Sequence, residues 1–336
     1  MEWKEFEQQE TGVDSLRQNE VVVQTRAIGS SHRDYEVAMG QLDGVELGID
    51  FAGTVLAAGP SSGFLPGDAI FSVLPSKITT VMKVDAQALA RIPSHMGFAE
   101  AASLPSSLWV AYQALANIAR LRTSEWVLIT QGASCTGQMI LRLANCFGAN
   151  PIVIASSDEQ GVLLKQECGV PATDIIFTHE GAVMSKIMQR TQGHGIDVVV
   201  DEMEDHALDF IPCLTPFGHL IDIGLNCRSN GPTNMARRGY VSNITRSSVS
   251  IVDALQSEPQ MTYNIFHKAV ETAFEDHRPF SSQLLVFKPG DVKDAFAHYQ
   301  SSVALGKCII ELNPQDVVAV STYPMRSSRT QAYIIT

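Results

Sequence analysis

WVLITQGASCTGQMILRLANCF, residues Trp126 to Phe147, reads in order as a strand, a loop and a helix. Val127 to Thr130 are apolar or β-branched, as a buried strand requires. Gln131 to Gly137 are mostly small. Met139, Ile140, Leu143, Ala144 and Phe147 then recur at the spacing of one helix face. A strand, a tight loop of small residues and a helix opening at that loop form the front edge of a dinucleotide-binding unit. There the backbone approaches a pyrophosphate and the positive end of the helix dipole faces it. The loop departs from that design, which wants three glycines for the turn, the close approach and the helix–strand packing. Gly132 and Gly137 are present, but Ser134 and Cys135 stand between them. Side chains there take room a pyrophosphate needs, and a non-glycine residue at positive φ costs about 1–2 kcal/mol.

Outward from this stretch the chain alternates strand and helix. Val127–Thr130, Ile152–Ala155, Ile175–Phe177, Ile196–Val200 and His219–Ile223 read as strands. Gln138–Phe147, Glu159–Cys168, Ala182–Arg190 and His206–Leu214 read as helices between them. Near-continuous apolar runs such as IDVVVD fit a parallel sheet covered on both faces. Towards the N-terminus the pattern is short strands and glycine turns. EVVVQTRAI (20–28) is a strand and Ser30–Gly40 a loop or short helix. Gly44–Ala58 is a strand pair and Ala69–Leu74 a strand after the turn Pro66-Gly67-Asp68. Phe98–Leu104 and Ser107–Ala119 read as helices. Beyond residue 255, helices at Ile265–Phe274 and Val292–Ser301 and strands at Leu284–Phe287 and Cys308–Leu312 rejoin the first unit.

Bulk composition narrows the class. At 336 residues, 45% hydrophobic and 18% charged, this is an ordinary globular chain with room for two domains. A net charge of −12 argues against nucleic acid or an anionic membrane surface as partner. Met1–Glu10 carries Glu2, Glu5, Glu7 and Glu10, unlike a signal peptide, and no apolar run reaches membrane-span length. The cysteines (Cys135, Cys146, Cys168, Cys213, Cys227, Cys308) are scattered, with no Cys-x-x-Cys pair. That disfavours structural zinc and reads as free thiols in a reducing, cytoplasmic setting. Asn313–Arg329 is turn-prone, and QAYIIT (331–336) begins a strand that reads as the start of a following domain.

These segments together resemble the medium-chain dehydrogenase/reductase family. More narrowly, they resemble the enoyl reductase domain of fungal highly reducing polyketide synthases. The carriers are Arg33-Asp34 in SSHRDYEVAMG, then LGIDFAGTV, PGDAIF, IPSHMGFAEAASLP and WVAYQAL; after the loop follow GIDVVVD, CLTPFGHLIDIG and VFKPGDVKDAFAHYQSSVALGKCIIEL. The resemblance implies an α/β fold, a GroES-like β-rich domain plus a Rossmann-type doubly wound parallel sheet. It places the GroES-like unit at 1–105 and 255–313, the Rossmann-type unit at 106–254, and a linker with the start of a ketoreductase-like domain at 314–336. It implies NADPH-dependent reduction of an α,β-unsaturated thioester on an acyl carrier protein, without zinc. It also implies neighbouring synthase domains as partners and a homodimer in the parent synthase. The cofactor would lie along Gly132, Ala133, Ser134, Cys135, Thr136 and Gly137, with Ser157, His179 and Gly224 at the following strand ends.

Departures from the family pattern gather at those positions. Ser134 and Cys135 replace consecutive glycines. SSDEQG (156–161) carries Asp158 and Glu159 where a basic residue would hold a 2′-phosphate, and His179 stands for an arginine. Asp201-Glu202-Met203-Glu204-Asp205 replaces an Asn-Ser-Leu-type turn, Leu225 a proposed proton-donating lysine, and Ser31-His32 the asparagine region before Arg33. Each lost charge-assisted phosphate contact costs roughly 1.5–3 kcal/mol. With crowding and repulsion added, about 4–7 kcal/mol, or three to five decades of affinity, would go. The sequence therefore predicts a degenerate copy that has lost its own reduction, served by a separate enoyl reductase acting in trans or leaving double bonds in place. The competing expectation is a reductase that is still active through compensating contacts.

Single residues admit sharper alternatives. Asp158 suits either a ribose 2′-hydroxyl or a solvated helix start, the latter favoured by the dipole. Asp201–Asp205 reads as a solvated run before a metal site. His32 beside Asp34, or Tyr35, could serve as a general acid, against a plainly hydrated loop. Cys135 at a helix N-terminus could be reactive, although it lacks a basic neighbour in sequence. Trp109 is expected to fill space.

Overall fold

The computed structural model describes residues 16–40, 48–74, 79–202, 207–224, 243–275, 283–299, 306–313 and 316. The chain opens with β1 (Glu20–Gly29), α1 (His32–Ala38), β2 (Asp50–Ala58), β3 (Ala69–Val73), β4 (Val81–Asp85) and β5 (Ala90–Arg91). Two short helices follow, α2 (Phe98–Ala102) and α3 (Pro105–Tyr112). The alternating stretch is β6 (Trp126–Ile129), α4 (Cys135–Cys146), β7 (Asn150–Ala155), α5 (Asp158–Gln166), β8 (Ile175–Phe177), α6 (Val183–Arg190) and β9 (Ile196–Asp201). Then come β10 (Leu214–Asp222), β11 (Thr245–Ser248), α7 (Ile251–Ser257), α8 (Pro259–Phe274), β12 (Leu284–Phe287), α9 (Val292–Tyr299) and β13 (Lys307–Glu311).

The strands divide into two sheets. One has the order β12-β13-β1-β2-β3-β5, with β4 also pairing β1. The other, β11-β10-β9-β6-β7-β8, is parallel throughout. Its central strand β9 is buried along nearly its whole length, as a strand covered on both faces must be. β13 runs antiparallel to β1, Ile310 opposite Ile28, so the end of the chain completes the sheet that its beginning started. One apolar cluster runs through both sheets, from Ala27, Ala52 and Phe71 through Leu108 and Trp109 to Val127, Met139, Val200 and Phe266. Trp109 lies inside α3, 2% exposed, and fills space as expected.

Several elements differ from expectation. Only one strand, β2, spans the described part of Gly44–Ala58, and residues 41–47 lie outside the description. β4 was missed although its burial alternates strictly, with Met82 and Val84 inward. The helix expected over Ser107–Ala119 starts at Pro105 and passes into a π-helical turn at Gln113–Ile118. The helix expected over His206–Leu214 is a 3₁₀ turn, Ala207–Cys213, because Pro212 inside it has no N–H to continue an α-helix. Asn313–Arg329 is described only at 313 and 316, and QAYIIT lies outside the described residues.

Gly137 marks where the first turn of α4 touches the loop that leads into it. A Cβ there would lie 1.9 Å from the Gln131 carbonyl oxygen, a backbone atom that cannot move aside. Gly137→Ala should therefore cost about 3 kcal/mol or more, read as a lowered urea midpoint.

Candidate functional site at the carboxyl end of the parallel sheet

In a doubly wound sheet the crevice lies outside the carboxyl ends of the strands, where the strand order reverses. Here that point falls between β6 and β9: β7 and β8 extend one way, β10 and β11 the other. The residues singled out in sequence gather along this edge. Gln131–Gly137 follow β6, Ser157 follows β7, His179 follows β8, Glu202 follows β9 and Gly224 follows β10.

Both glycines kept in the loop serve packing. A Cβ on Gly132 would lie 2.8 Å from Cβ of Val153, and Gly137 abuts Gln131. Ser134 sits between them as the N-cap of α4, at φ −66°, its hydroxyl accepting the Gly137 N–H at 2.9 Å. No residue from 131 to 137 has a positive φ, so the backbone strain expected of Ser134 and Cys135 does not arise. Their effect comes from what they touch. Ser134 Oγ donates to Oε2 of Glu202, whose N–H donates to Thr130 Oγ1 at 3.2 Å. A carboxylate thus stands at the positive end of α4, the position that draws a ligand's anion in such folds.

The run Asp201–Asp205 was expected to be solvated. Instead Asp201 is fully buried and Glu202 half-buried, while 203–206 lie outside the described residues. Burial pushes the Glu202 carboxyl up from an ordinary 4.5 to about 6, against the Ser134 bond and with help from Asp201. The folded chain keeps this proton between pH 4.5 and about 6, where the unfolded chain has lost it. Stability therefore falls as pH rises through that window; the penalty is absent below it and complete above it. Such a shift is worth about 2 kcal/mol. Glu202→Gln should stabilise the chain by about 1–2 kcal/mol near pH 8 and change little near pH 4, as denaturation at both pH values would report.

Ala133 is buried, its carbonyl taken by Gln138 Nε2 at 2.9 Å. Ser157 caps α5 by accepting the Gln160 N–H at 3.3 Å. The Asp158 side chain is 86% exposed, with His179 Nε2 3.8 Å from its Oδ1. Gly224 donates its N–H to Asp222 Oδ1 at 2.9 Å, and Leu225 lies outside the described residues.

Behind the loop lies a buried polar node that the sequence reading did not single out. Lys307 Nζ donates to Asp50 Oδ2, and to the Ser103 carbonyl at 2.9 Å. Asp50 also accepts the Ser106 N–H at 2.9 Å and the Ser106 hydroxyl. Burial alone would depress the Lys307 ammonium, but the Asp50 carboxylate outweighs it and holds the group above its ordinary value. The available signal was a charged residue inside each of two apolar strands, GIDFAG and GKCIIEL. Cys135 Sγ donates to the same Ser103 carbonyl at 3.4 Å, and Thr136 Oγ1 lies 3.2 Å from Ser107 Oγ. Burial raises the Cys135 thiol, contrary to the reactive thiolate considered in sequence.

At the head of α1, Asp34 accepts from Ser31 N, Ser31 Oγ, Gly48 N and Arg33 Nη2 at 2.8–3.1 Å. That set absorbs its carboxylate, so the pairing of His32 with Asp34 considered in sequence is not formed. His32 faces Glu36 instead, Nε2 to Oε1 3.7 Å.

A parallel dinucleotide-type sheet joined to a mainly antiparallel sheet, built from strands early and late in the sequence, defines the medium-chain dehydrogenase/reductase fold. Residues 17–114 match the family described as Alcohol dehydrogenase GroES-like domain. The chain is 30% identical over 322 residues to the highly reducing polyketide synthase poxF of Penicillium oxalicum, covering 94% of this chain and 13% of that one. It is 31% identical over 310 residues to the reducing polyketide synthase FUB1 of Gibberella moniliformis, covering 91% and 13%. It thus spans about an eighth of the length of these curated relatives. Among solved structures, the CurK enoyl reductase superposes with a TM-score of 0.76 at 23% identity, covering 87% of this chain and 91% of that one. The Escherichia coli quinone oxidoreductase complexed with NADPH superposes at 0.70 and 17%, covering 88% and 92%. Residues 17–114 thus carry the alcohol dehydrogenase GroES-like domain, the chain as a whole has the medium-chain dehydrogenase/reductase fold, and nearly its whole length is similar to a segment of fungal reducing polyketide synthases. No helix among the described residues is long and apolar enough to cross a membrane. Among them no group of three His, Cys, Asp or Glu side chains could hold a metal ion.

Proposed function

We propose that this chain is a reductase-type domain of a cytoplasmic polyketide synthase that no longer reduces its own substrate and is kept for its fold. The observation that carries this is the Ser134–Glu202 contact at the switch point: a carboxylate of the chain itself takes up the capped end of α4. The residues present do not fit a phosphorylated nicotinamide dinucleotide. Ser157, Asp158, Glu159, His179, Asp201 and Glu202 supply carboxylates and one imidazole, with no lysine or arginine among them. An anion brought there meets like charge at an end already satisfied. In this role the domain contacts neighbouring synthase domains and the acyl carrier protein, and supports a homodimer of the synthase. Reduction, where the product needs it, comes from a separate enoyl reductase acting in trans.

Calorimetric titration of the full chain with NADPH and with NADH tests this. No binding heat into the millimolar range is expected, from a chain shown to be folded and monodisperse. Micromolar binding of NADPH, with turnover of crotonyl thioester, would overturn the proposal in favour of an active enoyl reductase.

A further inference from the structure

α1 breaks the ordinary rule for a short helix against a core: its buried residues are Arg33, Asp34 and Glu36, not apolar ones. Arg33 and Asp34 bond each other, and Asp34 caps the helix start. Glu36 has no such structural use. It is 7% exposed, and its Oε2 is buried without a hydrogen-bond partner among the described residues. An unmet buried carboxylate oxygen is costly, and such violations mark functional places.

One turn earlier on the same face stands His32, half exposed, its Nε2 3.7 Å from Glu36 Oε1. The imidazole is walled by aromatic rings, Tyr35 at 5.6 Å and Tyr299 at 6.2 Å between centroids. Tyr299 is not itself an acid here. Burial raises its phenol, which donates to the Ser30 carbonyl at 2.6 Å and accepts the Cys308 N–H at 3.2 Å. The same turn is linked to the buried node behind the loop. Asp34, next in the turn, acts on Lys307, and Lys307 shares the Ser103 carbonyl with Cys135 of the loop.

We propose that His32, positioned by the buried carboxylate of Glu36, is a proton-transfer site for an unsaturated acyl thioester, working without nucleotide. The substrate class rests on the polyketide synthase assignment above; the pair itself rests on geometry. Neutral His32 takes a proton from the γ-carbon of an α,β-unsaturated thioester. The C–H electron pair becomes the β,γ double bond, and the former α,β pair moves onto the thioester as a dienolate. The imidazolium, beside Glu36, returns a proton to the α-carbon. The double bond has moved by one position, with no atom gained or lost and no oxidant or reductant used. His32 is the catalytic residue and Glu36 a positioning residue.

The test incubates the full chain with the crotonyl thioester of N-acetylcysteamine in deuterated buffer, free of nucleotide, and follows deuterium at the α- and γ-carbons by NMR. Exchange about a hundredfold above buffer is expected, within the range of general acid–base catalysis. His32→Ala should return it to the buffer rate; this half-exposed side chain can be truncated without touching the core. Glu36→Gln, close to isosteric, should lower kcat about tenfold with KM unchanged, while Glu36→Asp restores part of it. Exchange at the buffer rate, or exchange that survives His32→Ala, would overturn the proposal. Glu36→Gln moving only the melting temperature would overturn the positioning role. Nucleotide binding by titration would sink the silent-reductase proposal alone, whereas missing exchange with no nucleotide binding sinks this one alone.

Discussion

Lys307→Met should cost the chain about 3–5 kcal/mol of stability, the largest loss expected from a change outside the apolar core. The substitution keeps most of the side-chain volume, so little of the loss is packing. What remains is Asp50, 2% exposed, with its cation gone and only Ser106 left to it. Removing one partner of a buried pair strands the other charge, whereas removing both costs far less. Asp50→Asn combined with Lys307→Met should therefore be clearly more stable than Lys307→Met alone. Urea midpoints of the three proteins measure this. A loss below about 1 kcal/mol for the single variant would mean that water or a rearranged partner reaches Asp50.

The second large effect is a gain. Ser134→Gly, Cys135→Gly and Glu202→Asn together should tighten binding of NADPH by about two to four decades. The change removes the chain's own anion from the end of α4 and frees the loop for close backbone approach. Each restored contact is worth roughly 1.5–3 kcal/mol. A helix start with two new glycines loses about 1 kcal/mol each, which a chain of this size should survive. Titration of the triple variant beside the unaltered chain is the measurement. Should affinity stay unmeasurable, the obstacle lies at Asp158 and His179, outside the loop.

Much of this was legible from sequence because apolar periodicity sets burial directly. β6 and α4 follow from Val127–Ile129 and from Met139, Ile140 and Leu143, and all six of these residues are buried. β9 announces itself as IDVVVD. What stayed hidden depends on contacts between distant positions. Nothing local tells that Asp50 and Lys307 meet, since they lie on strands separated by most of the chain. The Ser134–Glu202 contact was half visible: each residue stood out, but their bond exists only because β6 and β9 are neighbours. The strain expected of Ser134 failed for a related reason. Capping α4 gave it an ordinary backbone conformation, and the loop did not need the glycine's freedom. At α1, the tempting neighbour Asp34 was spent on capping, and the residue one turn on faces His32.

The apolar cluster running from Ala27 through Trp109 to Phe266 has a thermal consequence. Each lobe also has an apolar cluster of its own, around Phe51 and Ile70 in one and Leu128 and Ile152 in the other, but neither can unfold without exposing the larger shared one. Heating should give a single calorimetric endotherm whose van't Hoff and integrated enthalpies agree. In the scaffold role proposed above, that indivisibility would be useful in itself: the unit stays rigid under strain until it gives way all at once.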